Sequence, residues 1–481
     1  MTSRTMSLLI VSLLATSSAF AQKAQPSQTG ENRVDATTQE GPVVPAQPGA
    51  DEGPLRYQTQ ELLFPEPLPL PDEYASIEKK EMQPSAAVTK DGLLRSATGL
   101  KDGAELVPGG LGDLTMMSID PEHSHGDFDT QDFGGLSAVS CSQCFPYAMN
   151  VHLSIQWPDG NWSGASGALI DSRHVLTAGH CVYSHDNGGW ARRIITTPGR
   201  DGSFAPYGTS EMETVMSWSA WTNNEDFEHD IAVIRLARPV GALTGWFGYG
   251  YTSSSSWFES PSWNLGSYPG SPYSQVDMYF QAGDFDTLPN SYEARRRTPG
   301  IPGQSGSAAY KFIGSGRYAY AVTSHNFWNW FHGTDLDSVR LTSNKFVHVN
   351  DFISARTHNT PDLLPLDVNA GGTYFPRGGY ITGVNYLTHN YSKVGRSGTV
   401  NTRVYLSTND NISSSDTLVQ SHYFNWSFGS KSSVRVNASS VYVPTNLSPG
   451  WYYLGVIVQD SDAELGNNDS DGQDAVRVYI Y

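Results

Sequence analysis

The sequence predicts an all-β protein, with two antiparallel barrels followed by a β-sandwich. Apolar residues recur in short runs that alternate with polar ones, turn residues separate the runs, and helical periodicity is scarce. The 481 residues include 47 glycines, 28 prolines and 12% aromatic residues, which is typical of many strands joined by tight turns. This length allows two or three domains, each with a buried core.

The first set of strands begins near Tyr147. Residues 151–157 alternate cleanly between apolar and polar side chains, and residues 158–161 (Pro-Asp-Gly-Asn) predict a hairpin turn. Further strands are predicted at residues 167–170, 174–176, 193–195, 231–236, 307–312, 318–323 and 338–341. A closing helix is expected over residues 346–353, with the preceding Thr-Ser-Asn as its cap.

Three residues in this region suggest nucleophilic catalysis. His180 ends an apolar strand, Asp230 opens a β-branched strand, and Ser305 lies between glycines in Gly-Gln-Ser-Gly-Ser. A serine hydroxyl needs a base within hydrogen-bond reach, and histidine has a suitable pKa. An aspartate can fix the tautomer of that histidine and stabilise its charged form. The order His, Asp, Ser excludes the α/β-hydrolase arrangement, in which the serine precedes the histidine.

The stretches Thr-Ala-Gly-His-Cys at 177–181, Asp-Ile-Ala-Val at 230–233 and Gly-Gln-Ser-Gly-Ser at 303–307 resemble the signatures of trypsin-like serine peptidases. The Phe-Pro-Tyr tripeptide at 145–147 is similar to one found in the glutamyl endopeptidase branch. The resemblance covers roughly residues 135–354, and the domain is expected to span 135–358. It implies a chymotrypsin-like double β-barrel and protein or peptide substrates. It also implies an oxyanion hole formed by the N–H groups of Gly303 and Ser305, with no cofactor and no metal.

The resemblance also bears on specificity. Six residues before the nucleophile stands Pro299 rather than a carboxylate, so cleavage after Lys or Arg is not expected. His325 occupies the place where glutamyl endopeptidases position a histidine against an acidic substrate side chain. The resemblance therefore implies cleavage after Glu, and secondarily Asp, with His325 binding the substrate. The alternative is that His325 only packs at the end of its strand.

The N-terminal third has a different character. Residues 1–21 read as a secretory signal, with Arg4, an apolar middle and an A-x-A-type site at 19–21, so a secreted protein is expected. Residues 22–134 contain 20 Asp and Glu against 8 Lys and Arg, and they show poor apolar periodicity. A largely disordered acidic propeptide is expected, with an inert linker as the alternative.

Charge argues against nucleic acid as a partner, and hydropathy argues against a membrane span. The net charge of −18 disfavours nucleic acid, whose phosphates repel an acidic surface. Apart from the N-terminal signal, no stretch has the length and hydropathy of a membrane span.

The three cysteines are Cys141, Cys144 and Cys181, so at least one lacks a partner within the chain. Cys141 and Cys144 can pair with each other, or one of them can reach Cys181. A Cys-x-x-Cys pair alone is too small a ligand set for zinc.

A linker is expected at 359–366 and a β-sandwich at 367–481, because strand-like alternation resumes there. Residues 405–410 and 450–454 resemble the bacterial CARDB-type adhesion module, which implies binding to a cell surface or another protein. Residues 467–474 (Asn-Asn-Asp-Ser-Asp-Gly-Gln-Asp) are either an acidic turn or a Ca²⁺ loop. The alternative function is a secreted adhesive protein whose peptidase-like domain is inactive.

Overall fold

The computed structural model describes residues 135–481 apart from 261–262, 274, 314–315, 330–332 and 461, together with the backbone of four short N-terminal strands. The predicted signal peptide and most of the predicted propeptide lie outside the described residues. Among the described residues, no helix combines the length and the apolar character needed to span a membrane.

The four N-terminal strands pair with the body of the protein. They are β1 Gly53–Pro54, β2 Arg56–Gln58, β3 Pro84–Thr89 and β4 Leu94–Arg95. The third lies antiparallel to a strand of the first barrel, with Val88 opposite Val215. The segment predicted to be largely disordered is therefore structured at these positions, because strand pairing satisfies backbone groups that apolar periodicity does not reveal.

Six strands form a closed barrel in the order β11-β6-β7-β8-β13-β12, and pairing of β11 with β12 closes it. The strands of this region are β5 Ser137–Ala138, β6 Asn150–Gln156, β7 Trp162–Asp171, β8 His174–Thr177, β9 Tyr183–Ser184, β10 Gly189–Trp190, β11 Arg193–Pro198, β12 Ser210–Trp218 and β13 Ala232–Leu236. The predicted strand at 151–157 and the turn after it are confirmed, with β6 and β7 paired as a hairpin. Apolar side chains such as Leu153, Val175 and Ile234 fill the barrel.

A second sheet has the order β17-β20-β19-β18-β15-β16-β5, with β14 beside β19. Its further strands are β14 Gly248–Tyr249, β15 Trp263–Ser267, β16 Tyr279–Gly283, β17 Glu293–Arg296, β18 Ala308–Ile313, β19 Gly316–Asn329 and β20 Gly333–Arg340. A shared apolar cluster that includes Leu176, Val233 and Val322 joins this sheet to the first barrel. The two sheets therefore pack as one body.

Short helices connect these strands, and a longer one closes the domain. They are α1 Ser219–Asn224, α2 Gly241–Thr244, α3 Ser255–Phe258 and α4 Ser343–Ser354. The predicted closing helix is confirmed, although it begins three residues earlier than expected. Thr342 is its N-cap, and its hydroxyl accepts a hydrogen bond from the backbone N–H of Lys345 at 3.3 Å.

The C-terminal region is a sandwich of two sheets, ordered β1-β25-β24-β27-β28-β22 and β2-β26-β23-β21. Its strands are β21 Leu363–Asn369, β22 Tyr374–Phe375, β23 Tyr380–Asn390, β24 Arg396–Ser407, β25 Thr417–Phe428, β26 Ser433–Tyr442, β27 Gly450–Val458 and β28 Val476–Ile480. The expected linker at 359–366 is wrong in its second half. Leu363, Leu364 and Leu366 are buried in β21, because their apolar side chains belong to the sandwich and to its contact with α2.

The sandwich packs directly against the first barrel. The turn between β7 and β8 meets it, with the buried Asp171 paired to Lys431 and Ser172 Oγ 3.1 Å from His389 Nε2. Arg238 donates two hydrogen bonds of 2.6 Å to the carboxylate of Asp474. The domain predicted as a separate module is therefore joined to the first barrel by buried polar contacts.

The cysteine pairing that the sequence left open is now defined. Cys141 and Cys144 form a disulfide, and Cys181 is a buried free thiol.

Candidate active site

His180 and Asp230 meet at one end of two neighbouring strands. In the antiparallel pair formed by β8 and β13, Thr177 lies opposite Ala232. His180 follows Thr177 by three residues and Asp230 precedes Ala232 by two, so both lie beyond the same end of the pair. His180 Nδ1 is 2.7 Å from Asp230 Oδ2, and the His180 backbone N–H donates to Asp230 Oδ1, also at 2.7 Å. The carboxylate thus fixes both the ring and the main chain of His180.

The loop carrying Ser305 is held against the strand that leads to His180. The backbone N–H of Ser166 on β7 donates to Ser305 O at 2.9 Å, and the N–H of Gly306 donates to Thr323 O at 2.8 Å. Gly306 has φ +82°, and a side chain there would overlap Thr177 Oγ1. Only glycine combines this backbone conformation with so close an approach. Among the described residues the Ser305 hydroxyl makes no hydrogen bond, including to His180.

The same loop presents two free backbone donors. The N–H groups of Gln304 and Gly306 are bound to Ile301 O and Thr323 O. The N–H groups of Gly303 and Ser305 have no acceptor among the described residues. Gly303 has φ +96°, a left-handed conformation that turns the loop at this point. Two unpaired N–H groups beside a serine can stabilise the oxyanion of a tetrahedral intermediate.

Electrostatics favour a charged pair. Burial disfavours the imidazolium and would lower the pKa of His180. The charge and the hydrogen bond of the Asp230 carboxylate act in the opposite direction, and that pKa lies well above its usual value. Burial would raise the pKa of Asp230, yet the charge and hydrogen bonds of His180 together with Ser324 lower it. Asp230 is therefore ionised at neutral pH and stabilises positive charge on His180.

Ser324 is a site residue that sequence reasoning missed. Its hydroxyl donates to Asp230 Oδ2, the oxygen that also faces His180. It stands 94 positions from Asp230, and a serine in a strand carries no distinguishing pattern. Its position directly before His325 was the one available signal.

His325 lies beside the site with both ring nitrogens engaged. Nδ1 is 3.0 Å from Ser324 Oγ, whose own proton points to Asp230, so Nδ1 is the donor. Nε2 is 3.6 Å from Asp337 and 3.8 Å from Glu293, and Phe227 packs on the ring at 4.3 Å. Burial lowers the pKa of His325, although Asp337 acts in the opposite direction. The imidazole therefore faces two carboxylates of the protein itself.

The next residue, Asn326, ties β19 to the loop before the nucleophile. Its Oδ1 accepts from the Gly300 N–H at 2.7 Å, and its Nδ2 donates to Gly300 O at 3.0 Å. A side chain at position 300 would contact Asn326 and Leu336.

Two further stretches, one rich in aromatic residues and one in arginine, bury side chains that a surface site would need to expose. Trp246 and Trp263 are 4% and 0% exposed, so the aromatic stretch at 246–263 buries these side chains and does not present them as a binding platform. In the arginine run, Arg295 pairs with Asp337 and Arg296 is fully buried. A largely buried strand, β17, carries both residues.

Comparison with known proteins fits this geometry. Residues 138–267 match the family model described as Trypsin. Over these residues the chain is similar to trypsin-family proteins. A protein of Bacillus subtilis (strain 168) named Extracellular metalloprotease is 35% identical to this chain over 217 residues, covering 44% of this chain and 65% of that protein. Glutamyl endopeptidase of Bacillus licheniformis is 28% identical to this chain over 173 residues, covering 36% of this chain and 52% of that protein.

The solved structure of a Glu endopeptidase has a TM-score of 0.39 and 21% identity to this chain, and covers 45% of this chain and 96% of its own. The chain spans about half to two thirds of the length of the two curated relatives from Bacillus subtilis and Bacillus licheniformis. The matched region is therefore similar to chymotrypsin-fold serine peptidases, a glutamyl endopeptidase among them, and the fold class predicted from the sequence is confirmed.

Proposed function

We propose that this protein is a secreted serine endopeptidase that hydrolyses peptide bonds through His180, Asp230 and Ser305. The observation that carries the proposal is the 2.7 Å contact between His180 Nδ1 and Asp230 Oδ2 at the strand end facing the Ser305 loop. The match to the Trypsin family model supports the reaction class.

The arrangement accounts for each chemical step. With Nδ1–H donated to Asp230, neutral His180 keeps a lone pair on Nε2 that can take the proton of Ser305. Ser305 Oγ then attacks the substrate carbonyl, and the resulting oxyanion accepts hydrogen bonds from the N–H groups of Gly303 and Ser305. The imidazolium, stabilised by Asp230, returns its proton to the leaving amine, which leaves an acyl-enzyme for water to hydrolyse. Apo sites often show long contacts that tighten when substrate binds, as the step from Ser305 to His180 requires.

A fluorophosphonate probe on the secreted protein tests this function. Labelling is expected on Ser305 and is expected to vanish in Ser305→Ala. His180→Ala and Asp230→Asn should each remove most turnover, and the losses should be non-additive because the three residues act together. The neighbouring Ser307, whose hydroxyl is bonded to Gln304 O, provides the matched control as Ser307→Ala. A folded protein that is never labelled would instead favour the adhesive alternative.

Cleavage after Glu, and secondarily Asp, belongs to the same proposal. The glutamyl endopeptidase relative supports this specificity. The carboxylates of Glu293 and Asp337 beside His325 oppose it, because they repel the acidic side chain of a substrate. Sequencing of the peptides cut from a denatured protein mixture decides between cleavage after acidic residues and cleavage after other residues. The proposal expects cuts after Glu that decline at least about tenfold in His325→Ala, because a charge-assisted hydrogen bond is worth about 1.5–3 kcal/mol. Cuts after other residues, unchanged in that variant, would contradict it.

Export and maturation complete the proposal. The signal at residues 1–21 and the acidic segment at 22–134 support synthesis as a zymogen that is activated by cleavage near residues 128–145. N-terminal sequencing of active material tests this, and full activity in protein that still begins at Gln22 would contradict it.

A further inference from the structure

Three side chains from two distant segments converge where the peptidase region meets the sandwich. His358 follows the closing helix α4, Asp362 lies just before β21, and Glu464 belongs to the loop after β27. A ring nitrogen of His358 and one oxygen from each carboxylate all lie within 4.8 Å of one another. His358 Nε2 is 3.3 Å from Glu464 Oε2 and 3.7 Å from Asp362 Oδ2.

These separations suit one small cation. Four ligands at about 2.0–2.1 Å from a tetrahedral Zn²⁺ lie about 3.3 Å from one another. The two distances from His358 Nε2 are close to that value. A fourth ligand is at hand, because Asn467 Nδ2 contacts both oxygens of Asp362 at 3.2 and 3.3 Å, and its own Oδ1 has no hydrogen-bond partner among the described residues. Rotation of this amide would turn the oxygen toward the cluster.

The cluster also lacks a direct ion pair with an arginine or lysine among the described residues, although the charge of Arg173 acts on Asp362. Asp362 is fully buried, and neither it nor Glu464 forms an ion pair with an arginine or lysine in the described part of the chain. The nearby Asp462 adds a third carboxylate, and its buried Oδ1 has no partner among the same residues. A buried carboxylate of this kind is normally paired with a cation or bound to a metal.

Two other clusters of His, Asp and Glu differ from the cluster at His358 in the partners of their carboxylates. At Glu293, His325 and Asp337, both oxygens of Asp337 already accept hydrogen bonds from Arg295. At Asp226, Glu228 and His229, the contacts are those of a local helix cap, in which Asp226 accepts from the Glu228 N–H and from the His229 ring. In the cluster at His358, by contrast, the fully buried Asp362 forms no ion pair with an arginine or lysine of the described residues.

We propose that His358, Asp362 and Glu464 form a binding site for a divalent transition metal of the Zn²⁺ class. One imidazole nitrogen and two carboxylate oxygens match the preferences of Zn²⁺, whereas Ca²⁺ takes six to eight oxygen ligands. The metal would join the end of the peptidase region to the loop at residues 459–471 and so strengthen the junction of the two domains. This role is independent of the proposed catalysis.

Titration calorimetry with ZnCl₂ on the chelator-treated full chain tests the site, with Ser305→Ala as the parent to prevent self-cleavage. The parent should bind one Zn²⁺ at this site and melt at a higher temperature when loaded. His358→Ala should remove this binding, and Glu464→Gln, at a half-exposed position, should weaken it at least about tenfold while leaving the fold intact. Co²⁺ should give the visible absorption of a tetrahedral centre in the parent and lose it in both variants.

The matched control is His229→Gln, which removes the histidine of a second three-residue cluster and should leave binding at the proposed site unchanged. The proposal is overturned if the parent binds no Zn²⁺, or if His358→Ala and Glu464→Gln bind it as the parent does. It is also overturned if CaCl₂ binds more tightly than ZnCl₂ in the same titration.

Discussion

At the scale of single residues, Asp230 organises the site. It is fully buried and accepts hydrogen bonds from the backbone and ring of His180 and from the Ser324 hydroxyl. A buried carboxylate with this many donors remains ionised. Its charge therefore acts on His180 with little screening, which sets the protonation state that catalysis would use.

The pH dependence of hydrolysis should reflect this contact. Because the pKa of His180 is raised well above 6.5, the ring stays protonated, and unable to act as a base, until the pH exceeds that value. kcat/KM should therefore rise with pH, with the midpoint of its acid limb above pH 6.5. Asp230→Asn removes the anion, so the residual activity should show this limb at lower pH.

Initial rates on an activated ester between pH 5 and 10 provide the measurement. Asp226→Asn is the control, since that carboxylate lies four residues away and pairs with His229 instead. A limb below pH 6.5, or one that does not move in Asp230→Asn, would contradict the electrostatic argument.

At the scale of elements, the site depends on how closely the loop at residues 303–306 approaches β7 and β8. The loop is bonded to Ser166 on β7 and Thr323 on β19, and Gly306 packs against Thr177. This approach sets the position of Ser305 relative to the strand that leads to His180. A displaced loop would separate Ser305 from His180 without altering either residue.

Gly306→Ala tests the close approach. The left-handed conformation at φ +82° costs about 1–3 kcal/mol for a non-glycine residue, and overlap with Thr177 and Ser166 adds to it. Gly160→Ala is the matched control, because Gly160 has φ +92° but nothing within 4 Å of an added side chain. Urea unfolding of both variants should show the larger loss of free energy for Gly306→Ala. Equal losses would mean that the loop relaxes away from β8.

At the scale of the whole molecule, the sandwich is bound to the catalytic strands from the opposite end. The turn 171–174 opens β8, and the Leu236 N–H at the end of β13 donates to Arg173 O at 2.7 Å. At the other end of these two strands, β8 leads to His180 and Asp230 lies just before β13. Lys431 of the sandwich pairs with the buried Asp171 of this turn. The two domains are therefore expected to be stable together and unstable apart.

Lys431→Met should show this dependence. It leaves Asp171, which is 1% exposed, as a buried charge without its partner, a change that typically costs about 3–5 kcal/mol. Arg193→Met is the control, because its partner Glu211 is 46% exposed and such pairs contribute less than about 1 kcal/mol. Denaturant unfolding in the Ser305→Ala background measures both. A loss for Lys431→Met no larger than the control would mean that the interface contributes little.

Strand alternation and short motifs were enough to predict the β-strand composition, the order of His180, Asp230 and Ser305, the closing helix and the presence of a C-terminal sandwich. These features are local, since strand alternation, a helix cap and glycines around a serine are set by neighbouring residues. The tertiary structure alone decided the disulfide partner of Cys141, the hydrogen bond from Ser324 to Asp230, the carboxylates facing His325, and the burial of Asp171 against Lys431. Each of these joins residues whose meeting depends on how strands pair and domains pack, and no short-range pattern encodes that geometry. The cluster of His358, Asp362 and Glu464 belongs with them, since 102 positions separate Asp362 from Glu464 and only the packing of the sandwich brings them together.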